Sequence, residues 1–483
     1  MANGLDNNQI IALIVNFSVL LVSLGVSIFL IFKIKFDDKN YRLLFIIYTL
    51  YWIAPMLLRE YTSQMHTAMS NAEWTTGSLM WLPVTVYGII GLFWKPLNDL
   101  LSHRLKSRKN VIFIALGIQA IGAIPMIIEP CLATNIIQSI TVGIGASGIA
   151  VFNLMFNEQY AKKKVFLTVT LLSLPPLMAE FFSSVLQCCV TSFISKNTIE
   201  KDPVHYINVV KYMWVIGLAC IVITAICTIF VKERKAYLYQ DNKYKEPVDN
   251  KWDISVVILL IFAAAITSFI KFCTSGGTAI TELEYIGKHN NVDTSAYQGY
   301  LSVIFTVGQM GANILTGLFL VKKMNKWAIF SIASGMWIAY AIVSASYLNV
   351  YARLGFNILN GFAFGMTYNL IVGIVMNKFF KKTNKITPIT LYNTGLSIGI
   401  CSSQFFNTFL KQDVFAKVKE HGQWVWKLSW DDFVWRNWIV TIAVIATIVV
   451  MWAMFTVSYF ITKKHPPRRI KVNRVRVQQD MDD

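Results

Sequence analysis

The amino-acid sequence predicts an all-α polytopic membrane protein: two six-helix bundles related by pseudo-symmetry, preceded by one extra N-terminal transmembrane helix. Three observations carry that expectation. Hydrophobic residues make up 55% of the 483 and charged residues only 14%, so the apolar surface exceeds what one soluble core could bury. The 44 Lys and Arg that produce the net charge of +18 fall in short clusters between apolar runs of about 20 residues, the length that crosses a bilayer. The charge is therefore the footprint of topology, and a nucleic-acid partner is not expected. Finally, the stretch YGIIGLFWKPLNDLLSHRLKSRKN at 87–110 is echoed by MGANILTGLFLVKKMNKWAIF at 310–330. Gly91-Leu92-Phe93 before Arg104, Lys106, Arg108 and Lys109 corresponds to Gly317-Leu318-Phe319 before Lys322, Lys323 and Lys326.

Taken in order, the first apolar run is 10–32, preceded by the uncharged-to-acidic MANGLDNNQ and followed by Lys33, Lys35 and Lys39. It is too long for a signal peptide, lacks a basic leader and has its positive flank on the far side, so it is expected to stay in the chain with the N-terminus outside. Spans are then expected at 43–68, 76–100, 111–128, 136–156, 165–193 and 208–231, and, after a basic loop at 232–251, at 254–280, 297–321, 327–347, 350–376, 386–410 and 437–461. The resulting plan is an extra helix and linker (1–40), a first bundle (41–231), a cytoplasmic interdomain loop (232–252), a second bundle (253–462) and a basic cytoplasmic tail (463–483). Loops placed inside carry the basic runs 104–109, 162–164, 232–235, 322–326 and 378–385. Those placed outside hold mixed charge, such as Glu73, Glu200 to Asp202, Glu282, Glu284 and Asp293, and Asp413 to Asp432. That distribution obeys the positive-inside rule. The tryptophan-bearing stretch 424–438 reads as an interfacial aromatic belt or as an outer vestibule.

A second pair supports the repeat: Asn157 with Lys162 and Lys163 matches Asn377 with Lys381 and Lys382. On Gly91, Asp99, Arg104, Ser107, Arg108 and Lys109 the chain resembles the major facilitator superfamily, whose signature between its second and third helices is a glycine, an aspartate and a basic cluster of the form D-R-x-G-R-K. His103 stands where a second acidic residue is usual, and Lys106 looks like a one-residue insertion. The resemblance spans roughly 41–462. It implies two six-helix repeats about an axis along the membrane normal, with substrate bound near the midplane between them. It also implies a conformational latch built from Asp99, Arg104, Arg108 and Lys109, with Asp99 near the helix that opens at Thr387-Pro388, where the helix dipole favours an anion.

Charges inside apolar runs are costly, and they are candidates for function. Arg59 lies 16 residues in from Leu43, and Lys271 lies 17 in from Ile254, in the first helix of each bundle. Tyr48, Trp52, Pro55 and Arg59 share one helical face. Either the two cations form a substrate-binding site or they snorkel to the interface. Their placement resembles the organophosphate:phosphate antiporters, in which one basic residue from each half binds a phosphoryl group. Lys271 keeps the charge but lacks the planar fork of arginine. Two cations left uncompensated in an empty carrier would favour exchange of one anion for another. Glu180, just after Pro175-Pro176, is the remaining deep charge, able to pair with Arg59 or to carry a proton. His66 and His103 are lone histidines without metal-ligand spacing, and the seven cysteines read as packing residues.

The strings G-x-x-x-x-G-K-[ST], H-E-x-x-H and Cys-x-x-Cys are missing, so neither ATP hydrolysis nor another enzymatic activity is expected, and no cofactor. The expected function is a secondary active transporter, a monomer embedded in membrane lipid. Its substrate would be a small polar, anionic metabolite such as an organic phosphate, with Arg59, Lys271, Tyr48, Trp52 and Glu180 in the site. The alternative is proton-coupled symport of a neutral solute such as a sugar. A membrane-embedded enzyme or receptor is the reading from another class. The abundance of Lys, Ile and Asn fits a bacterial cell membrane.

Overall fold

The structure, a computed structural model, describes residues 7–33, 39–75, 81–159, 165–193, 202–233, 251–274, 277–292, 294, 297–378, 388–411, 417–420, 423–426 and 428–464. It is almost wholly helical. The helices are α1 Asn7–Lys33, α2 Lys39–Asn71, α3 Trp81–Leu105, α4 Arg108–Ile128, α5 Leu132–Ala146, α6 Ile149–Gln159, α7 Val165–Phe193, α8 Pro203–Val210 and α9 Tyr212–Ile229. They continue as α10 Lys251–Thr274, α11 Gly277–His289, α12 Gln298–Leu315, α13 Lys326–Ser346, α14 Val350–Lys378, α15 Pro388–Lys411 and α16 Trp430–Lys464. Helix α12 runs on through a π-helical turn, Thr316–Leu320, into a last turn at Val321–Lys323.

Nine described helices are long and apolar enough to cross a membrane. Expected spans at α3, α10, α14 and α15 are not among them: α10 shows only a shorter apolar stretch, Ile261–Cys273, and the other three carry buried polar side chains, namely Lys95, Asn98 and Asp99; Asn357, Asn360, Thr367 and Asn369; Thr390, Asn393, Ser397 and Ser403. A helix that faces other helices need not be as apolar as one that faces lipid.

Helix α2 packs on α5, α7 and α9, α3 on α5, and α4 on α5 and α9, which makes one group. Helices α10 with α15 and α16, α12 with α14, and α13 with α14 and α16 make the other. The two groups meet where α3 crosses α15 and where α7 crosses α12 and α14. Between helices in lipid the apolar driving force is small, so small residues that let backbones approach matter most. Gly361 and Gly365 on α14 face α12 so closely that an added methyl would lie 2.1 Å from the Phe305 carbonyl and 2.6 Å from that of Gln309. The glycines of the sequence echo sit on the two seams. A methyl on Gly91 would meet the Ser397 hydroxyl of α15 at 3.0 Å, and one on Gly317 would meet the Thr170 hydroxyl of α7 at 2.0 Å.

Several boundaries differ from the sequence expectation. The span expected at 136–156 is two helices, α5 and α6, separated at Ser147-Gly148. The Tyr51 side chain of α2 occupies the break: its hydroxyl donates to the Gly145 carbonyl, and a methyl on Gly148 would fall 2.3 Å from that oxygen. A Gly/Ser pair beside an inserted side chain is a recognised cause of such a break. The span expected from 208 starts at Pro203, behind Asp202, whose carboxylate accepts the His205 amide at 3.0 Å. The end of the span expected at 254–280 belongs to α11, so Glu282 and Glu284 are helical. Strands β1 Lys417–Glu420 and β2 Gln423–Trp426 form a small antiparallel hairpin that no sequence signal announced. Trp430 stacks on His289 at 3.6 Å, which ties it to α11, while Trp435 is exposed as a belt residue would be. The pairing of Asn157, Lys162 and Lys163 with Asn377, Lys381 and Lys382 rests on side chains outside the described residues.

Candidate functional site

Lys271 is the centre of the candidate site. It lies in the last turn of α10, where the helix C-terminus favours a cation. Its ammonium stands 3.7 Å from a carboxylate oxygen of Glu180 on α7, so the pair joins the two helix groups. Ser302 of α12 donates to the other Glu180 oxygen at 3.3 Å. Three rings surround the ammonium, with centroids at 4.7 Å for Phe305, 5.0 Å for Phe364 and 5.8 Å for Phe272. The side chains of Lys271 and Glu180 are only 14% and 6% exposed, a burial at which each cation–π contact contributes about 1 to 2 kcal/mol.

Arg59, on α2, shares the Phe272 ring, with its guanidinium carbon 5.8 Å from the centroid. The two expected cations are thus brought to the faces of one aromatic side chain. The deep carboxylate that sequence reasoning offered to Arg59 stands beside Lys271. Glu180 compensates Lys271, so the site does not hold the two uncompensated cations expected for an empty carrier.

The aromatic lining continues from there. Phe364 stacks on Tyr368 at 6.1 Å, and Tyr368 meets Tyr392 of α15 edge-on at 6.1 Å. Tyr48 and Trp52 are buried on α2, as their helical spacing with Arg59 required. Tyr48 stacks on Phe152 at 4.5 Å and donates to Asn153 at 3.3 Å. The arrangement is a charged pair capped by flat apolar faces. It offers an ammonium and a buried carboxylate that are divided between the two helix groups.

The basic loop after α3 makes its described contacts with the end of α9 and the residues that follow it. Ser107 caps α4 by accepting from the Asn110 amide, and it donates to Glu233 at 2.8 Å; the Arg108 amide also donates to Glu233. Lys109 donates to the carbonyls of Ile229 and Val231, at 2.5 and 3.3 Å, which closes the end of α9. These contacts of Lys109 lie within the first bundle, the Arg108 amide reaches the start of the interdomain loop, and Arg104 is exposed. Asp99 is buried and lies near the Arg108 guanidinium. Its expected contact with the helix start at Thr387-Pro388 falls outside the described residues.

The cation that crosses between bundles on this side is Lys95, one helical turn before Asp99. It is 7% exposed and donates to the Asn393 carbonyl and the Ser397 hydroxyl of α15, both at 2.7 Å. Sequence reasoning passed it over, although a lysine inside an expected span was the signal that singled out Lys271. On the other seam Thr170 of α7 donates to the Asn313 carbonyl at 3.1 Å and accepts from Asn369 of α14 at 3.0 Å. A second buried ion pair, Arg353 with Glu282, joins α14 to α11, and Arg353 also donates to the Ser344 carbonyl at 3.0 Å. Among the described residues no cluster of His, Cys, Asp or Glu could hold a metal ion, and His66 is fully buried in α2.

No protein-family model matches the sequence, and no curated protein matches it. The fold does match a solved one. The human organic anion transporter MFSD10 (TETRAN) is similar over 88% of this chain and 100% of that chain, with a TM-score of 0.55 and 12% sequence identity. At that identity the likeness is one of fold: this chain shares the helical architecture of that protein.

Proposed function

We propose that this chain is a secondary active transporter that moves a small organic anion across the membrane by alternating access, with Arg59, Lys271 and Glu180 at the substrate site. The observation that carries the proposal is the Lys271–Glu180 pair, which bridges the two helix groups within an aromatic enclosure. A carrier that rocks its halves about a central site needs its binding groups divided between them, and this pair is divided in that way. The fold neighbour is an organic anion transporter, which agrees with a site that brings Arg59 and Lys271 to one aromatic ring. Phe305, Phe364 and Phe272 favour a carboxylate or phosphate monoester with an apolar body over inorganic phosphate, which demands a denser set of donors. The N-terminus lies outside and the basic tail inside, following the positive-inside rule.

Glu180 supports a second reading of the coupling. A proton on Glu180 would release Lys271 for the substrate, so inward anion movement would be accompanied by a proton rather than exchanged for a second anion. The test is uptake into proteoliposomes of labelled carboxylates, organic phosphates and sugars. Uptake of at least one anion, lost in Lys271→Gln and in Arg59→Gln, is the expected result; stimulation by an imposed inward proton gradient separates symport from exchange. Uptake at the parent rate in both variants would overturn the site, and a neutral sugar as the sole substrate would overturn the anion assignment.

A further inference from the structure

The extra helix α1 has no place in the two-bundle plan, yet it is tied to the contact between the bundles. Most of its surface is apolar and exposed, as Ile11, Leu21, Val22 and Phe32 show. One stripe turns inward, running through Ala12, Asn16, Leu20, Ser23 and Ser27 at helical spacing, and it docks along α7. Within that stripe Asn16 is 2% exposed. Its side-chain amide donates to the Cys188 carbonyl of α7 at 3.1 Å, and its carbonyl oxygen accepts from the Tyr300 hydroxyl of α12 at 2.7 Å. One carboxamide on a third helix thus holds the first bundle with its donor and the second with its acceptor. The two helices are closest just there: a methyl on Gly299 would lie 2.4 Å from the Cys188 sulfur and 2.6 Å from the Ser184 carbonyl.

We propose that α1 is a strap across the α7/α12 seam, and that Asn16 is the positioning residue that holds this end of the seam shut. The proposal rests on the alternating-access reading above, since a strap of this kind sets how readily the seam parts during the cycle. The physical reason is local. Parting α12 from α7 breaks the hydrogen bond between the Asn16 oxygen and the Tyr300 hydroxyl, whose worth between membrane helices is modest but measurable. A leucine at the same place has nothing to lose when the seam parts. Loss of one interhelical hydrogen bond in a membrane protein changes an opening equilibrium by about threefold, and by up to roughly twentyfold for the strongest.

Cys188 reports on the seam directly, because its sulfur is packed against Gly299 and the residue is fully buried. In the full chain with the other six cysteines replaced by serine or alanine, reconstituted in lipid nanodiscs so that both faces are reachable, the rate of maleimide labelling measures how often the seam opens. Asn16→Leu is expected to label about three- to twentyfold faster than its parent. Tyr300→Phe, which keeps the ring and removes only the donor to Asn16, is expected to do the same and decides the matter if Asn16→Leu does not fold. Equal labelling rates in the parent and in both folded variants overturn the strap. Because labelling reads the seam and not solute movement, faster labelling in a chain that transports nothing keeps the strap and removes the transport reading. Unchanged labelling in a chain that does transport removes the strap alone.

Discussion

Replacing Glu180 and Lys271, singly and together, separates what the pair does for stability from what it does for transport. At 3.7 Å and an effective dielectric constant near 20, the attraction between the two unit charges is about 4 kcal/mol. Removing one partner leaves the other buried without it, so Glu180→Met and Lys271→Met should each cost about 3 to 5 kcal/mol. The double variant Glu180→Met/Lys271→Met puts apolar groups of similar volume into a pocket already lined by Phe305 and Phe364. It should recover most of that loss, so that its cost falls well below the sum of the two single costs. Thermal or denaturant unfolding of the purified protein in detergent gives the stabilities, and proteoliposome uptake gives the activity. The expected result is a double variant close to the parent in stability and without anion uptake. A coupling below about 0.5 kcal/mol, the level of exposed ion pairs, would refute the reasoning, because the pair would then contribute neither to the enclosure nor to the contact between halves.

Three other outcomes follow from the geometry. Lys95→Met removes two bonds to α15 that are 2.7 Å long, each worth about 1.5 to 3 kcal/mol with a charged donor, so thiol-reactive probes in the native Cys401 region of α15 should react faster than in the parent; an unchanged rate means that Lys95 does not hold the seam. Arg353→Leu strands the fully buried Glu282 carboxylate and should destabilise the fold by about 3 to 5 kcal/mol, with Glu282→Gln in the same chain restoring part of the loss in unfolding assays. Cysteine at Gly88 faces the Cys401 sulfur at 2.7 Å, and cysteine at Gly299 faces that of Cys188 at 2.4 Å, so each pair is within disulfide reach once the native thiol turns aside. Oxidising either should stop uptake and a reductant should restore it, whereas uptake at the parent rate through a fully cross-linked seam would exclude rocking about both seams.

Much of the architecture was legible because membrane proteins write topology in composition. The apolar runs placed the helices, and the echo of Gly91 in Gly317 marked the two related halves, whereas the close approach at each glycine shows only in the folded chain. Arg59, Lys271 and Glu180 were legible for the same energetic reason, the cost of a charge within a span. Which carboxylate faces which cation was not, since that depends on the rotation of α7 and α10 about their axes, and no local pattern records it. Phe305, Phe364 and Tyr368 were hidden by abundance: a chain with 32 Phe and 20 Tyr offers many equivalent aromatics, and only folding selects three. Lys95 was masked by its neighbours, because the basic cluster from Arg104 onward drew the reading towards the loop. Glu282 looked like a loop charge, as the division of its span into α10 and α11 leaves Glu282 on a helix that packs against α14.

The two seams share their glycines but are closed by unlike chemistry, and the difference bears on how the halves move. The α7/α12 seam is held by neutral groups: Thr170 with Asn313 and Asn369 at one end, and Asn16 with Cys188 and Tyr300 at the other. If it parts towards lipid or a dry gap, those amides and hydroxyls lose partners that nothing replaces. The α3/α15 seam is held in its middle by an ammonium bonded to a carbonyl and a hydroxyl. Lysine is strongly hydrated, so when water enters there the cost of breaking both bonds is largely offset by solvation of Lys95. Helix α1 adds its strap to the seam that is already the drier one. The bias expected from these contacts is for α3 to part from α15 more easily than α7 parts from α12.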